Sequence, residues 1–281
     1  MTTKEENILK KLALELRLAV LHSIFMAGSG HPGSSLSCLD IILYLYKKIL
    51  NVNCKNPKDL NRDRFVLSKG HAAPALYAVL AECGFFSSLD LLNLRKFKFF
   101  LQGHPNLNDT PGVDMSTGSL GQGVSAACGM AAGLRLNGLS SRVYCLIGDG
   151  ELQEGQVFEA FCFASHNKLD NLCFIVDNNG LQIDGTIEEV AGFLNIPEKL
   201  KSFGLNVILA DGHSFNDLEK AFKTAKEVKE KPSVVLAKTI KGKGVSFMQN
   251  SVGWHGKAPN EEEFYLAKEE IVKALKKFEG E

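Results

Sequence analysis

Val143-Tyr-Cys-Leu-Ile147 runs straight into Gly148-Asp149-Gly150-Glu151, and a second apolar run, Leu172-Cys-Phe-Ile-Val176, runs into Asp177-Asn178-Asn179-Gly180, so that Asn179 follows Asp149 by 30 positions. Each run is short, apolar throughout and followed by a turn signal, which predicts a buried strand. The two strands then present an aspartate and an asparagine at adjacent ends. A carboxylate and an amide oxygen placed this way suit a hard cation such as Mg²⁺, which takes oxygen ligands and shares them with phosphate groups. The carboxyl edge of a parallel sheet is where such sites are built. Gly-Asp-Gly or Asn-Asn-Gly alone reads as an ordinary turn. Together, each after an apolar strand, they point to a site.

The rest of the chain extends this pattern. Residues 5 to 27 carry apolar side chains at helical spacing (Ile8, Leu12, Leu16, Ala19, Val20, Ile24) and stop at Gly28-Ser-Gly30. Leu36 to Leu50 reads as a buried helix, Arg64 to Leu67 as a short strand, and a helix follows Ser68-Lys-Gly-His71 to about Cys83. Leu101 to Ser119 is too long and too rich in Gly, Pro, Asn and Asp for a plain connector, and loops of that kind are often functional. Gly118 to Gly123 opens a small-residue helix, Val124 to Leu136. Later strands are predicted at Asn206 to Leu209 and Ser233 to Ala237, a helix between them at Phe215 to Val228, and a charged amphipathic helix from Asn260 to Phe278. The alternation predicts an α/β fold: a doubly wound, mostly parallel sheet with helices on both faces. No repeat, low-complexity tract or linker divides it, so residues 1–281 are expected to form a single module.

Composition excludes several alternatives. With 32 basic and 32 acidic residues the net charge is zero, which gives no electrostatic footprint for nucleic acid or an anionic membrane. Its 45% hydrophobic and 23% charged residues are ordinary for a folded globular chain. None of the seven cysteines forms a C-x-x-C pair and most lie in apolar segments, which favours reduced core thiols and a cytoplasmic location. No segment reaches the roughly 18 uninterrupted apolar residues of a membrane span.

The Gly-Asp-Gly and Asn179 pair resembles the thiamine diphosphate (ThDP) motif. Ser29-Gly-His-Pro-Gly33, Ser68-Lys-Gly-His71, Gly103-His-Pro105, Thr117-Gly-Ser-Leu-Gly-Gln-Gly123, Gly148-Asp-Gly-Glu-Leu-Gln-Glu-Gly155 and Trp254-His-Gly-Lys257 narrow the resemblance to the diphosphate-binding half of transketolases. The resemblance implies Asp149, Asn179 and the Leu181 carbonyl as ligands of Mg²⁺, for which Ca²⁺ or Mn²⁺ can stand in. Gly150 allows the backbone close to a phosphate oxygen, with Glu151 beside it and a helix beginning after Gly150 adding its positive end. Gly118, Ser119 and Leu120 are implied to pass under the cofactor, although Ser119 stands where the family commonly has Pro; Ser119 also reads as a helix N-cap. Lys241, in Lys241-Gly-Lys-Gly244, is expected near the diphosphate.

Imidazole suits such a site because it donates to hydroxyls and exchanges protons near neutral pH. The resemblance sets His104 at the donor sugar, His31 and His255 at the acceptor side, and His71 and His255 by the cofactor. It implies that Glu154 and Glu159, on the helix after Asp149, face a partner and join a proton network there. The other histidines, His22, His166 and His213, match no motif. The implied activity is transfer of a two-carbon ketol unit from a ketose phosphate to an aldose phosphate, as in the pentose phosphate pathway. The pyrimidine-binding half has no counterpart in 281 residues, so the expected partner is a C-terminal transketolase subunit in an α₂β₂ assembly. Three alternatives stay open: a deoxyxylulose phosphate synthase-like enzyme, a split relative acting on another ketose, and a non-catalytic ThDP-binding subunit.

Overall fold

A computed structural model describes residues 1–192 and 195–278. Five strands, β1 (Arg64–Leu67), β2 (Val143–Gly148), β3 (Leu172–Asn178), β4 (Asn206–Asp211) and β5 (Ser233–Lys238), pair in the order β1-β2-β3-β5-β4, all parallel. The helices in chain order are α1 (Thr3–Ala27), α2 (Pro32–Tyr44), α3 (Ala73–Glu82), α4 (Gln122–Leu136), α5 (Gly155–His166), α6 (Ile187–Ala191), α7 (Ile196–Ser202), α8 (Phe215–Glu227) and α9 (Glu261–Leu275).

Strand periodicity sorts the core into two layers. Cys145, Ile147, Phe174 and Val176 pack with α4 and α5 on one face, while Tyr144, Leu146, Cys173 and Ile175 pack with α1, α2, α3, α8 and α9 on the other. Successive side chains point to opposite faces, so a strand covered on both sides must be apolar at every position. That is why both site-bearing strands read as unbroken apolar runs. Parallel register then aligns their ends. Gly148 stands opposite Asp177, and Asp177 opposite Ala237, which brings Asp149, Asn179 and Thr239 to one sheet edge.

Local signals place the flanking helices. Thr2 and Glu5 form a capping box at the start of α1, and Gly28, at φ 59°, ends it with its N–H on the Phe25 carbonyl. α2 starts one turn before the Leu36 expected from periodicity. Pro32 opens it, and its first two turns carry Ser34 and Ser37 toward the polar sheet edge, so the apolar pattern begins late. All thirteen α2 residues are buried, and a π turn over Leu45–Ile49 continues it. Ser119 is not the cap of α4. Gly121, at φ 84°, occupies that position, and its N–H is taken by Glu151.

Candidate active site

A cavity of about 430 Å³ opens at the carboxyl edge of the sheet, lined among others by Asp149, Asn179, Leu181, His31, His71 and His255. Asp149, 2% exposed, accepts from the N–H of Gly150 (2.9 Å) through one carboxylate oxygen and from that of Gly180 (2.6 Å) through the other. Asn179 turns its side-chain oxygen to the Leu181 N–H at 3.1 Å. The two strand ends are thus stitched into one loop edge. Burial, with the Asp177 carboxylate close by, pushes the Asp149 carboxyl up to about 6. An added Cβ on Gly150 would come within 2.9 Å of Gln182 Oε1 and 3.1 Å of its Cβ, so any larger residue here displaces the Gln182 side chain.

Behind this edge lies a closed polar cluster. Asp177, fully buried, accepts from Ser37, Thr239 and Lys69. Burial opposes both charges, but Lys69 holds the Asp177 carboxyl below its ordinary range and Asp177 holds the Lys69 ammonium above its own. Glu151 is buried and occupied as well: one oxygen takes the Ser68 hydroxyl and the Gly121 N–H at 2.8 Å, the other the Gly148 N–H at 3.0 Å. Its carboxylate lines the cavity while tying three loops together.

Three imidazoles cluster in the same cavity, with ring centroids 5.3 Å apart for His31 and His71, 5.5 Å for His31 and His255, and 5.2 Å for His71 and His255. Burial, then the Lys69 charge, holds His71 well below its usual pKa; burial with Arg95 brings His31 down to about 4, and burial with Lys241 brings His255 to about 4. All three are neutral at pH 7, so each offers one N–H and one lone pair. His71 Nε2 meets Ser34 Oγ at 3.1 Å, and His255 Nδ1 meets Lys241 Nζ at 3.0 Å. Lys241, itself 1% exposed, also donates to the Leu181 carbonyl at 3.3 Å, and burial beside Lys69 lowers it to about 8.

Other residues singled out by sequence lie at the margins. His104 is exposed and does not line the cavity, but its ring would lie 3.1 Å from a Cβ on Gly118, which does. Gly118 has φ 152°, a conformation that keeps the backbone flat against that ring. Leu120 lines the cavity; Ser119 is exposed and does not. A 3₁₀ turn, Gly150–Gln153, follows Asp149, and α5 starts only at Gly155 with Glu154 as its cap, so no long helix begins at Gly150. Glu154 reaches the cavity edge, whereas Glu159 is exposed further along α5. Sequence reasoning misses Ser34, Lys69, Asp177, Gln153 and Gln182. Lys69, Gln153 and Asp177 lie inside the segments Ser68-Lys-Gly-His71, Gly148–Gly155 and Asp177–Gly180 without a role of their own there; Ser34 and Gln182 carry no local signal.

The donor set fits a hard cation with a diphosphate. Asp149, Asn179 and Leu181, which carry a carboxylate, an amide and a carbonyl oxygen, line one cavity, and among the described residues no cluster of three or more His, Cys, Asp or Glu forms another metal site. Gln153 Nε2 and Gln182 Nε2 belong to residues lining the same cavity, buried and without a hydrogen-bond partner among the described residues, and so present N–H groups for anionic oxygens. Lys69 and Lys241 add positive charge.

Comparison with known proteins agrees with this chemistry. Residues 8–279 match the family model described as "Transketolase, thiamine diphosphate binding domain". Human transketolase is 45% identical over 250 residues, covering 89% of this chain and 40% of that protein. The "6-deoxy-6-sulfo-D-fructose transketolase subunit SqwG" of Clostridium sp. (strain MSTE9) is 40% identical over 269 residues, covering 96% of this chain and 95% of its own. One subunit of the apulose-4-phosphate transketolase of Phocaeicola vulgatus is 37% identical over 265 residues, with 94% of each covered. The crystal structure of transketolase from Campylobacter jejuni superposes with a TM-score of 0.89 at 37% identity, over 97% of this chain and 43% of that one. The chain therefore spans less than half of the full-length relatives and nearly all of the two subunits.

Proposed function

This chain belongs to the transketolase family, matching its thiamine diphosphate-binding domain, and from that premise we propose that it is the N-terminal subunit of a two-chain transketolase. The enzyme would use ThDP and Mg²⁺ to move a two-carbon ketol unit from a ketose phosphate to an aldose phosphate, in the cytoplasm and within the pentose phosphate pathway. A pyrimidine-module polypeptide would complete it as an α₂β₂ assembly. The observation that carries the proposal is one cavity lined both by Asp149, Asn179 and Leu181 and by three clustered imidazoles. Asp149, Asn179 and the Leu181 carbonyl would hold the cation, and Gly150, His71, Lys241 and the buried Nε2 groups of Gln153 and Gln182 would hold the diphosphate. When bound, ThDP supplies the reactive thiazolium carbon on which the two-carbon unit travels.

The chain's own residues would orient the sugar and carry its protons. His31 and His255 are adjacent: His255, whose Nδ1 accepts from Lys241, would donate to a hydroxyl through Nε2, His31 would donate to one hydroxyl while accepting from another, and His104 on the Gly103-His-Pro105 loop would meet the donor sugar. Glu154 and Glu159 are exposed on the rim and on α5, and Phe163, one turn beyond Glu159, is 48% exposed. That face suits a partner bringing the carboxyl group that activates the cofactor. Among the described residues no helix is long and apolar enough to cross a membrane, and four of the seven cysteines are buried and unpaired, in keeping with a reducing compartment. A second reading, a split relative acting on another ketose, is favoured by the sugars named for the two subunit-length relatives.

Glycolaldehyde transfer should be absent for the purified chain with excess ThDP and Mg²⁺, and should appear on adding a pyrimidine-module polypeptide. Assays with several ketose donors and with pyruvate separate the two readings from a synthase. Robust turnover by the single chain, with an inactive Asp149→Ala control, would sink the two-chain proposal.

A further inference from the structure

His213, Asp40 and Arg17 line no part of the cavity and belong to none of the sequence motifs, yet they are joined in one buried chain. His213 Nε2 accepts the Ile240 N–H at 2.9 Å, so its ring proton sits on Nδ1 and donates to Asp40 Oδ2 at 2.7 Å. The same oxygen takes Arg17 Nη2 at 2.6 Å, and Arg17 Nε donates to the Lys243 carbonyl at 3.1 Å. Arg17 and Asp40 are each 4% exposed. Ile240 and Lys243 bracket the dipeptide Lys241-Gly242, so both ends of that turn hang from a single carboxylate oxygen. Between them the Gly242 N–H meets the Gly33 carbonyl at 3.0 Å, and the Asn250 N–H meets the Lys241 carbonyl at 2.9 Å.

We propose that Arg17, Asp40 and His213 are positioning residues, a buried brace that sets the backbone of residues 240–243 and so aims Lys241 at Leu181 and His255. A lysine side chain has many rotamers and loses affinity for its target when its backbone wanders. Here the backbone is fixed from behind by charge-assisted hydrogen bonds, the kind that hold geometry best. The sheet edge supplies the rest of the logic: α2 contributes Ser34 to His71, Ser37 to Asp177 and Asp40 to His213, so one helix face supports the histidine wall, the closed polar cluster and the Lys241 turn together. The effect of the brace on cofactor affinity rests on the proposal that Lys241 contacts the diphosphate. Its effect on the backbone does not.

The test uses the full chain, with its partner polypeptide for ligand binding. Amide hydrogen exchange on His213→Leu should accelerate within residues 240–250 and stay unchanged across β2 and β3, and His213→Gln, which keeps one donor and one acceptor, should restore slow exchange. Unchanged exchange at 240–250, or uniform acceleration everywhere, overturns the brace. Arg17→Lys, which keeps the Asp40 pair but loses the bond to Lys243, serves should His213→Leu fail to fold. Calorimetric ThDP affinity in Mg²⁺ buffer is then measured for His213→Leu, Lys241→Met and the double variant. Each single change should weaken binding about tenfold or more, with the double little worse than Lys241→Met alone. Additive losses overturn the route through Lys241. Normal affinity in Lys241→Met would overturn the Lys241 contact, and the affinity claim with it, while the exchange result still judges the brace.

Discussion

Asp149, just past the end of β2, and Asp177, on the neighbouring β3, stand at the same sheet edge, and the molecule treats them in opposite ways. Asp177 is closed: a lysine and two hydroxyls saturate it and hold its carboxyl low. Asp149 is open: among the described residues it has only backbone N–H partners, no direct cation, and a carboxyl pushed up to about 6 by burial beside Asp177. A buried charge with a complete set of partners stabilises geometry, whereas one left short of countercharge is a place where a cation gains affinity. The difference therefore separates scaffold from site within two adjacent residues of the register.

The sharpest way to break this contrast is Asp177→Asn. It leaves the Lys69 ammonium buried without its counterion, and removal of one member of a buried pair costs about 3–5 kcal/mol. Urea unfolding should show that loss with or without ligand. A near-neutral result would mean that Asp177 is no scaffold.

Asp149→Ala should do the converse, leaving the fold intact and ThDP affinity in Mg²⁺ buffer down by at least about 100-fold, since even supporting residues around a metal cost roughly 10- to 100-fold. Near-normal affinity by calorimetry would remove Asp149 from the site. His104→Ala, beyond the open edge, should lower turnover on the order of 10²-fold while cofactor affinity holds. If affinity fell and turnover at saturating ThDP did not, His104 would belong with the cofactor ligands.

The smallest effect concerns the metal-free chain. The Asp149 carboxyl lies at about 6 when folded against about 3.9 when unfolded, so the folded state holds its proton more tightly. Stability from this group is greatest below the unfolded value and falls as pH rises through that window. In chelator, Asp149→Asn should remove that fall with pH, while its amide nitrogen, set against one of the two backbone N–H groups that the carboxylate accepts, lowers stability by a similar amount at every pH. A pH profile between about 4 and 6 that matches the parent would contradict the charge imbalance assigned to Asp149.

Much of this contrast is legible in the sequence. The apolar runs ending at Ile147 and Val176 disclose two buried strands, and their terminal Gly-Asp-Gly and Asn-Asn-Gly disclose the open edge, because strand burial and turn chemistry are local properties. The histidines His31, His71 and His255 are legible through their segments and do meet in space. Glu151 reads as a cofactor contact, but its ties to Ser68, Gly121 and Gly148 are invisible in sequence, since a carboxylate's partners are chosen by packing. Ser119 reads as a cap whose place Gly121 fills, because a left-handed glycine satisfies the turn without a side chain.

By itself, then, the amino-acid sequence determined all five strands, most of the helices though not α6 or α7, the two-faced burial of the sheet and the oxygen-bearing residues at its edge, all carried by neighbours within a few positions. Tertiary structure alone decided which charges are closed and which stay open. Lys69 finds Asp177 across 108 positions, His213 finds Asp40 across 173, and Arg17 finds the Lys243 carbonyl across 226. No local period encodes such pairs, because a buried charge takes whichever partner the packed sheet and helices bring within hydrogen-bond reach.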